Sequence, residues 1–415
     1  MSASPVDRYI DATRLHLRGR VQQHYYAESV KRIRDLAAHF GVAVDVKIVY
    51  SLSRRVEHVK IGEVLWLVYD QYMGQSVNLL NRLFVEAADI EPAIVYFHKV
   101  LAERLVEVSM VDEAIHCALV YRNGRDALMG RAVDERWRAV LTSTHERFML
   151  FHEFGHCLYG QPQILSHVRE QVEQLIEHQI ASKTRTPSQI LADVRSAPPA
   201  AIHHQDPQAF YKDTQRRLES GEDLKFHAAL LASLADEQIR QEIFCDVFAA
   251  DLVWTETALN GLNRVETLRA VYIGFYHLQA LEYLRRFPYL SSQVDWSTDN
   301  TPRMQVRSHC LRWHLVFLFQ ASLIEDGVKD KAEIEAAASA FDIQLMEDQK
   351  KCYETVNDGA MNVCDSLRRE GYIRKLGEAT AREIEATVRK GKRARRLSET
   401  EFGQVALLMT GWASR

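Results

Sequence analysis

Disulfide spacing is missing from this chain. Its six cysteines, at positions 117, 157, 245, 310, 352 and 364, form no CxxC and no set of paired spacings, which argues against a disulfide scaffold and a cysteine-ligated zinc site. A long apolar run is missing as well. The longest, around Leu315–Ile324, falls far short of the roughly 20 residues a bilayer needs, so no membrane span is expected. The first residues lack an apolar signal-peptide core, because Arg8, Asp11, Arg14 and Arg18 interrupt it. Nor is one sign of charge in excess. With 52 Lys and Arg against 56 Asp and Glu, the net charge is −4, too small for a general affinity toward nucleic acid or anionic membrane. Hydrophobic residues at 47% and charged residues at 26% are an ordinary globular balance. The length of 415 residues allows two or three domains. A soluble, cytoplasmic protein is the expectation.

What the chain does have is His152-Glu153-Phe154-Gly155-His156. HExxH is the shortest sequence that builds a zinc hydrolase site on one helix. Positions i and i+4 share a face, so both imidazoles reach one ion, while Glu153 stands one step round as a base for the attacking water. Phe148, Phe151, Phe154 and Leu158 recur at helical spacing, and Gly160 followed by Pro162 supplies a stop. The apolar stripe predicts a core-facing side, with His152 and His156 on an adjacent face. A buried amphipathic helix whose histidines only hydrogen-bond is the plainer alternative.

Three protein ligands plus water define a catalytic zinc, so a third ligand is needed. The extended pattern HExxHxxGxxH is broken by Tyr159 and Pro162. A glutamate on a second helix, followed four residues later by an aspartate, is the other common solution. Gln241–Leu252 (QEIFCDVFAADL) offers it. Glu242 would bind the metal and Asp246 would accept the remaining ring N–H of a ligand histidine, with Ala249 and Ala250 allowing close packing on the first helix. Glu170, Glu173, Glu177 and Glu237 are rival ligands, and an ordinary surface carboxylate pair is the bland reading. Only Glu242 combines the spacing with an apolar flank.

HEFGH followed by ExxxD running into FAADL resembles the Glu-zincin metallopeptidases, including the ImmA/IrrE-type proteases and the CaaX-type prenyl-protein proteases with their soluble relatives. Asp299–Arg307 (DNTPRMQVR) is similar to the THPxxxxR element of the CaaX-type group, shared by Lit-type phage-exclusion peptidases; Pro302 and Arg307 keep its spacing. Val64–Tyr69 is loosely similar to an apolar Trp-containing segment of the Lit type. The resemblance covers about residues 40–320 and does not reach the C-terminal quarter. Three departures stand out. Thr301 replaces the histidine of the HP pair, so an oxyanion-stabilising histidine is missing from its place. The interval from His156 to Glu242 is 86 residues (242 − 156), long for the soluble families. A membrane span, as in integral-membrane prenyl-protein proteases, is not expected. The resemblance implies a zinc cofactor, an oxyanion donor in Arg307 (with Tyr276, His277 and His309 as weaker options), and conditional cleavage of one intracellular protein in stress or phage defence.

The predicted fold class is α+β, mainly α-helical: a zincin-like catalytic core with a small antiparallel sheet and a helical C-terminal region. Residues 1–110 read as a helical N-terminal region with a short strand at Val42–Tyr50, following a helical pair or one long helix over 6–40 closed by Gly41. Helical spacing returns over 63–110. Residues 111–325 read as the catalytic domain. There, Cys117–Arg122 with a turn at Asn123-Gly124 and a following strand predicts a hairpin, a common structural unit that identifies no substrate, and a further short strand is expected near Ala139–Thr142; the resemblance to zincins implies that a strand in that place pairs with extended substrate through its free edge. Residues 181–210, with Pro187, Pro198, Pro199 and Pro207, predict a flexible insertion, either a lid or a passive loop; His203 and His204 within it are poor ligand candidates. Residues 326–415 read as a charged helical region. Its basic run Arg389–Arg396 is better explained as a solvated face than as a nucleic-acid site, since no aromatics interleave, and Ser398 with Glu401 has the form of a capping box.

Together these residues predict zinc-dependent hydrolysis of a peptide bond in a protein or peptide substrate. Zn²⁺ is held by His152, His156 and Glu242, Glu153 is the general base, Asp246 orients a histidine and Arg307 stabilises the oxyanion. A non-catalytic sensor or interaction protein with a structural zinc is the alternative. Glu153 discriminates between them, because a structural site has no need of it.

Overall fold

The computed structural model describes residues 4–369, apart from 15, 18–19, 109, 129–133, 162, 164, 185, 197–205, 260–262 and 288–300. The basic run at 389–396, the capping box at 398–401, His203, His204, Asp299 and Asn300 lie outside the described residues. The fold is mainly α-helical with one small sheet, so the α+β class holds. Among the described residues no helix is long and apolar enough to cross a membrane.

The chain forms two compact units, each drawn from separate stretches. One comprises Met1–Glu146, Gly274–Asp295 and Lys351–Arg415; the other comprises Arg147–Ile273 and Trp296–Lys350. This division interleaves along the chain.

In the first unit, α1 (Pro5–Thr13) starts at Ser4, whose side chain accepts from the Asp7 N–H, and α2 (Ala27–His39) follows. The sheet is mixed, not antiparallel. β1 (Val44–Val49) runs parallel to β3 (Val64–Asp70), and β2 (Val56–Ile61) runs antiparallel to it, in the order β1-β3-β2. Gly62, at φ +64°, opens the two-residue turn joining β2 to β3. β3 is central, with Leu67, Val68 and Tyr69 fully buried. Its continuous apolar run has no period-2 alternation, and for that reason reads as helix in the sequence. β2 escapes a sequence reading because Glu57, His58 and Lys60 dilute its apolar face.

α3 (Gln71–Glu86), α4 (Glu91–Glu107) and α5 (Val111–Gly124) follow. The hairpin expected at 117–124 is therefore a helix. Ala114, Cys117 and Ala118 are fully buried at helical spacing, and Gly124 permits close approach, since a Cβ there would lie 2.8 Å from Val95 Cγ2. The strand expected at Ala139–Thr142 is also helical. It lies in α6 (Glu135–Tyr159), where Leu141 is buried and Thr142 Oγ1 accepts from Asn81 Nδ2 at 3.0 Å. Among the described residues between α5 and the HEFGH segment there is no strand.

From Arg147 onward α6 belongs to the second unit, with α7 (Ser166–Lys183), α8 (Pro187–Ser196), α9 (Pro207–Ser220), α10 (Glu222–Ala235) and α11 (Glu237–Leu259). The 181–210 stretch is thus helical over much of its described length. α12 (Arg264–Arg286) passes back to the first unit, and α13 (Thr301–Glu325) and most of α14 (Lys331–Cys352) belong to the second. A π-helical turn (Tyr353–Asn357) and α15 (Asp358–Arg369) lie in the first unit.

Candidate metal centre

Two helices of the second unit build the site. α6 is anchored by its apolar stripe: Phe148, Phe151, Phe154 and Leu158 are all buried, as the spacing predicts. α11 starts at Asp236, whose carboxylate accepts from the Gln238 N–H at 2.9 Å, and it buries Ile243, Val247, Ala249, Ala250 and Val253. The two helices approach closely at Gly155. A Cβ there would stand 3.2 Å from both the Cα and Sγ of Cys245 and 3.2 Å from Phe248 Cδ1. Close contact therefore depends on Gly155 and Cys245 rather than on the two alanines alone.

His152 and His156 stand one turn apart on α6, with ring centroids 5.0 Å apart. Glu242 reaches them from α11, and one donor atom from each residue lies within 4.8 Å of the others. His152 Nε2 is 3.4 Å from Glu242 Oε2, and His156 Nε2 is 3.6 Å from Glu242 Oε1. The second separation exceeds hydrogen-bonding range and the first lies beyond its usual limit. Two donors each ~2.1 Å from a tetrahedral zinc lie about 3.4 Å apart. The trio therefore fits ligands around one ion better than it fits partners of one another. Among the described residues this is the one group of His, Cys, Asp and Glu with such spacing.

Behind the trio, His152 Nδ1 lies 2.9 Å from Asp246 Oδ1, which turns Nε2 toward the shared centre. Arg307, on α13, joins the two acids. Its Nε and Nη2 donate to the two oxygens of Asp246, each at 2.9 Å, and its Nη1 forms an ion pair with Glu242 Oε2 at 2.9 Å. Pro302 occupies the first turn of α13, where a missing N–H is tolerated, and Arg307 follows five residues later. The electrostatics agree with this geometry. Burial disfavours the imidazolium of His152, but Asp246 and Glu242 outweigh it and hold its pKa up at about 10. Burial opposes ionisation of Glu242 and Asp246, yet Arg307 and His152 bring both below the usual carboxylate range.

Glu153 is half-buried between the two histidines in sequence. The neighbouring thiols are poor nucleophiles: burial, with Glu153 adding to it, pushes Cys157 up to about 12, and burial raises Cys245 well above the ordinary thiol range. The rival glutamates are outside the trio. Glu170 and Glu177 are exposed, Glu173 accepts from Arg240 Nη1 at 2.7 Å, and Glu237 accepts from the Tyr159 hydroxyl. Of the other oxyanion candidates, Tyr276 and His277 are buried in the first unit. There Tyr276 packs edge-on to Tyr353, and His277 Nδ1 lies 3.0 Å from Asn81 Oδ1. His309 is half-buried on α13.

Two further pairs tie α13 to α11 and were not singled out in the sequence. Asp236 accepts from Arg303 Nη2 at 2.7 Å, and His314 Nε2 lies 2.7 Å from Asp251 Oδ1. With Arg307 between them, the three contacts rise together along both helices. Asp251 is visible in the FAADL segment, but nothing local marks its partner. Gly155 could have been found: a glycine inside a strongly patterned helix signals close approach. No protein-family model matches the chain, and comparison with curated proteins and with solved structures gives no match to either.

Proposed function

We propose that this protein is a zinc-dependent metallopeptidase of the Glu-zincin kind, hydrolysing a peptide bond in a protein substrate within the cytoplasm. The observation that carries the proposal is the convergence of His152, His156 and Glu242 within 4.8 Å, backed by Asp246 2.9 Å from His152. The Nε2 atoms of the histidines and a carboxylate oxygen of Glu242 would hold the ion. Zinc bound there would supply Lewis acidity, lowering the pKa of a water and polarising a substrate carbonyl. Asp246 keeps His152 in the tautomer and orientation that offer Nε2. Glu153 takes a proton from the attacking water and passes it to the departing amine. Its presence favours hydrolysis over a purely structural centre. The resemblance of HEFGH, ExxxD and TPRMQVR to the families named above supports conditional action on one target in stress or phage defence.

The test compares cells producing the wild type with cells producing Glu153→Gln, reading new protein N-termini by mass spectrometry. A fragment made by the wild type should fall by at least ~10² with the variant, as expected on loss of a general base. Equal cleavage by both proteins would remove Glu153 from the chemistry.

A further inference from the structure

The first unit holds a polar cluster that the metal centre does not use. Arg54 there has a left-handed backbone, φ +45°, a conformation that few side chains adopt without cost. It is buried and tied at two points: Nε donates to Ser76 Oγ at 2.6 Å, and Nη2 pairs with Glu103 Oε2. The Tyr72 hydroxyl donates to the other oxygen of Glu103 at 2.7 Å, so this buried carboxylate has a partner on each oxygen. Lys99, one turn earlier on α4, is left with little. Its Nζ is 3.8 Å from Glu103 Oε1, beyond hydrogen-bonding range. It lies over the rings of Tyr72 and Tyr121, 5.4 Å and 5.9 Å from their centroids. The Arg54 guanidinium lies 4.2 Å from the Tyr72 centroid, so two cations share one ring. Burial pushes the Lys99 pKa down to about 8; Tyr96 opposes the shift and Arg54 adds to it. The side chain is still 21% exposed, which leaves it open to a small reagent.

We propose that Lys99 is a covalent modification site for small aldehydes, its amine left without a carboxylate partner because Arg54 and Tyr72 occupy Glu103. A lysine largely withdrawn from water, or set beside another cation, is activated for Schiff-base chemistry. The ammonium loses a proton to solvent, and the free amine attacks the carbonyl carbon. An N–C bond forms and the carbonyl oxygen departs as water, giving an imine with no oxidant or reductant consumed. Tyr72 and Tyr121 supply flanking aromatic surface, which favours an aromatic aldehyde. The proposal is independent of the metal centre: Lys99, Arg54 and Glu103 belong to the first unit, and His152, His156 and Glu242 to the second.

The experiment treats the full chain with salicylaldehyde at pH 7, traps the imine with cyanoborohydride and follows each lysine by peptide mass spectrometry. At that pH an amine of pKa about 8 has about 200 times more free base than an ordinary lysine at roughly 10.4. Lower basicity and partial burial reduce this advantage, so Lys99 should label at least ~10-fold faster than the exposed Lys60, Lys212 and Lys331. Its rate should level off as pH rises through about 8, while theirs keeps climbing. Arg54→Met frees a Glu103 oxygen to pair with the ammonium, so labelling of Lys99 should fall several-fold in that variant, with circular dichroism reporting its fold. Lys99 labelled no faster than the three exposed lysines would overturn the proposal, as would a folded Arg54→Met that labels like the wild type. Should Arg54→Met not fold, the wild-type rates and their pH profile decide alone.

Discussion

Gly155 offers a way to perturb the site without touching a ligand. It lies between Glu153 and His156 on α6, and its missing side chain is what allows α11 to approach. An alanine Cβ would meet Cys245 Cα, Cys245 Sγ and Phe248 Cδ1, each at 3.2 Å. Comfortable carbon contacts begin near ~3.5 Å, so the helices must separate by roughly 0.3–0.5 Å. One of the three contacts is backbone and cannot rotate away. Two effects compete. Alanine is a better helix former than glycine by about 1 kcal/mol, whereas overpacking a buried contact costs about 1–3 kcal/mol. The net expectation for Gly155→Ala is a loss of about 0–2 kcal/mol. The separation falls between the histidines of α6 and Glu242 of α11, so metal affinity should drop by about tenfold, equivalent to about 1.4 kcal/mol. The assay is a zinc titration against a chromophoric chelator, with urea unfolding of the metal-free protein in parallel. If Gly155→Ala bound zinc as tightly as the wild type and unfolded at higher urea, helix propensity alone would govern this position and the close-contact argument would be refuted.

His152→Ala and His156→Ala should each abolish stoichiometric zinc in native protein, measured by elemental analysis; retained zinc in both would rule out the HExxH pair as ligands. Glu242→Ala should lower zinc affinity sharply and Asp246→Ala by a smaller factor, about 10–100-fold, whereas Glu237→Ala, whose carboxylate meets Tyr159, should leave it unchanged. A silent Glu242→Ala beside a disabling Glu237→Ala would reassign the third ligand. In the metal-free protein the pKa of His152 is raised to about 10, so its protonated form stabilises the fold fully below its ordinary value, roughly 6.5. That contribution is lost as pH rises through about 10. Zinc must displace this proton, and at pH 7 its binding should release ~1 proton from His152. Calorimetry in buffers of different ionisation enthalpy measures it, and zinc binding with no proton release would contradict the paired imidazolium.

The parts of the site that lie within one helix are legible in the sequence. The i, i+4 spacing of His152 and His156, and of Glu242 and Asp246, places each pair on one face wherever a helix forms, and the Phe stripe says that one does. The three-stranded sheet is less legible. β3 is buried and continuously apolar, and β2 carries charge, so neither shows the alternation that β1 shows. The helix α5 was hidden because Asn123-Gly124 has the composition of a hairpin turn, while its glycine serves close packing on α4. Arg307 is found through a motif, but its pairing with Asp246 and Glu242 is not, since that depends on how α13 lies along α11. Contacts between residues 61 positions apart, such as Asp246 and Arg307, leave no local periodicity to read.

His152 and His156 on α6 are separated from Glu242 on α11 by a long stretch of chain. A metal shared between them would act as a cross-link as well as a reagent. Joining His156 to Glu242 closes a loop of 86 residues (242 − 156), and for a covalent link of that span the lost freedom of the unfolded chain corresponds to about 4–5 kcal/mol. The metal would then hold the helical segment α7–α10 as a tethered loop whose ends are fixed at the site. Because the entropy of closure grows only logarithmically, doubling that loop would add only about 0.6 kcal/mol. The intervening helices could therefore lengthen or shorten at little entropic cost to such a centre, and this long interval would be a place where the protein could change shape without giving up an ion held there.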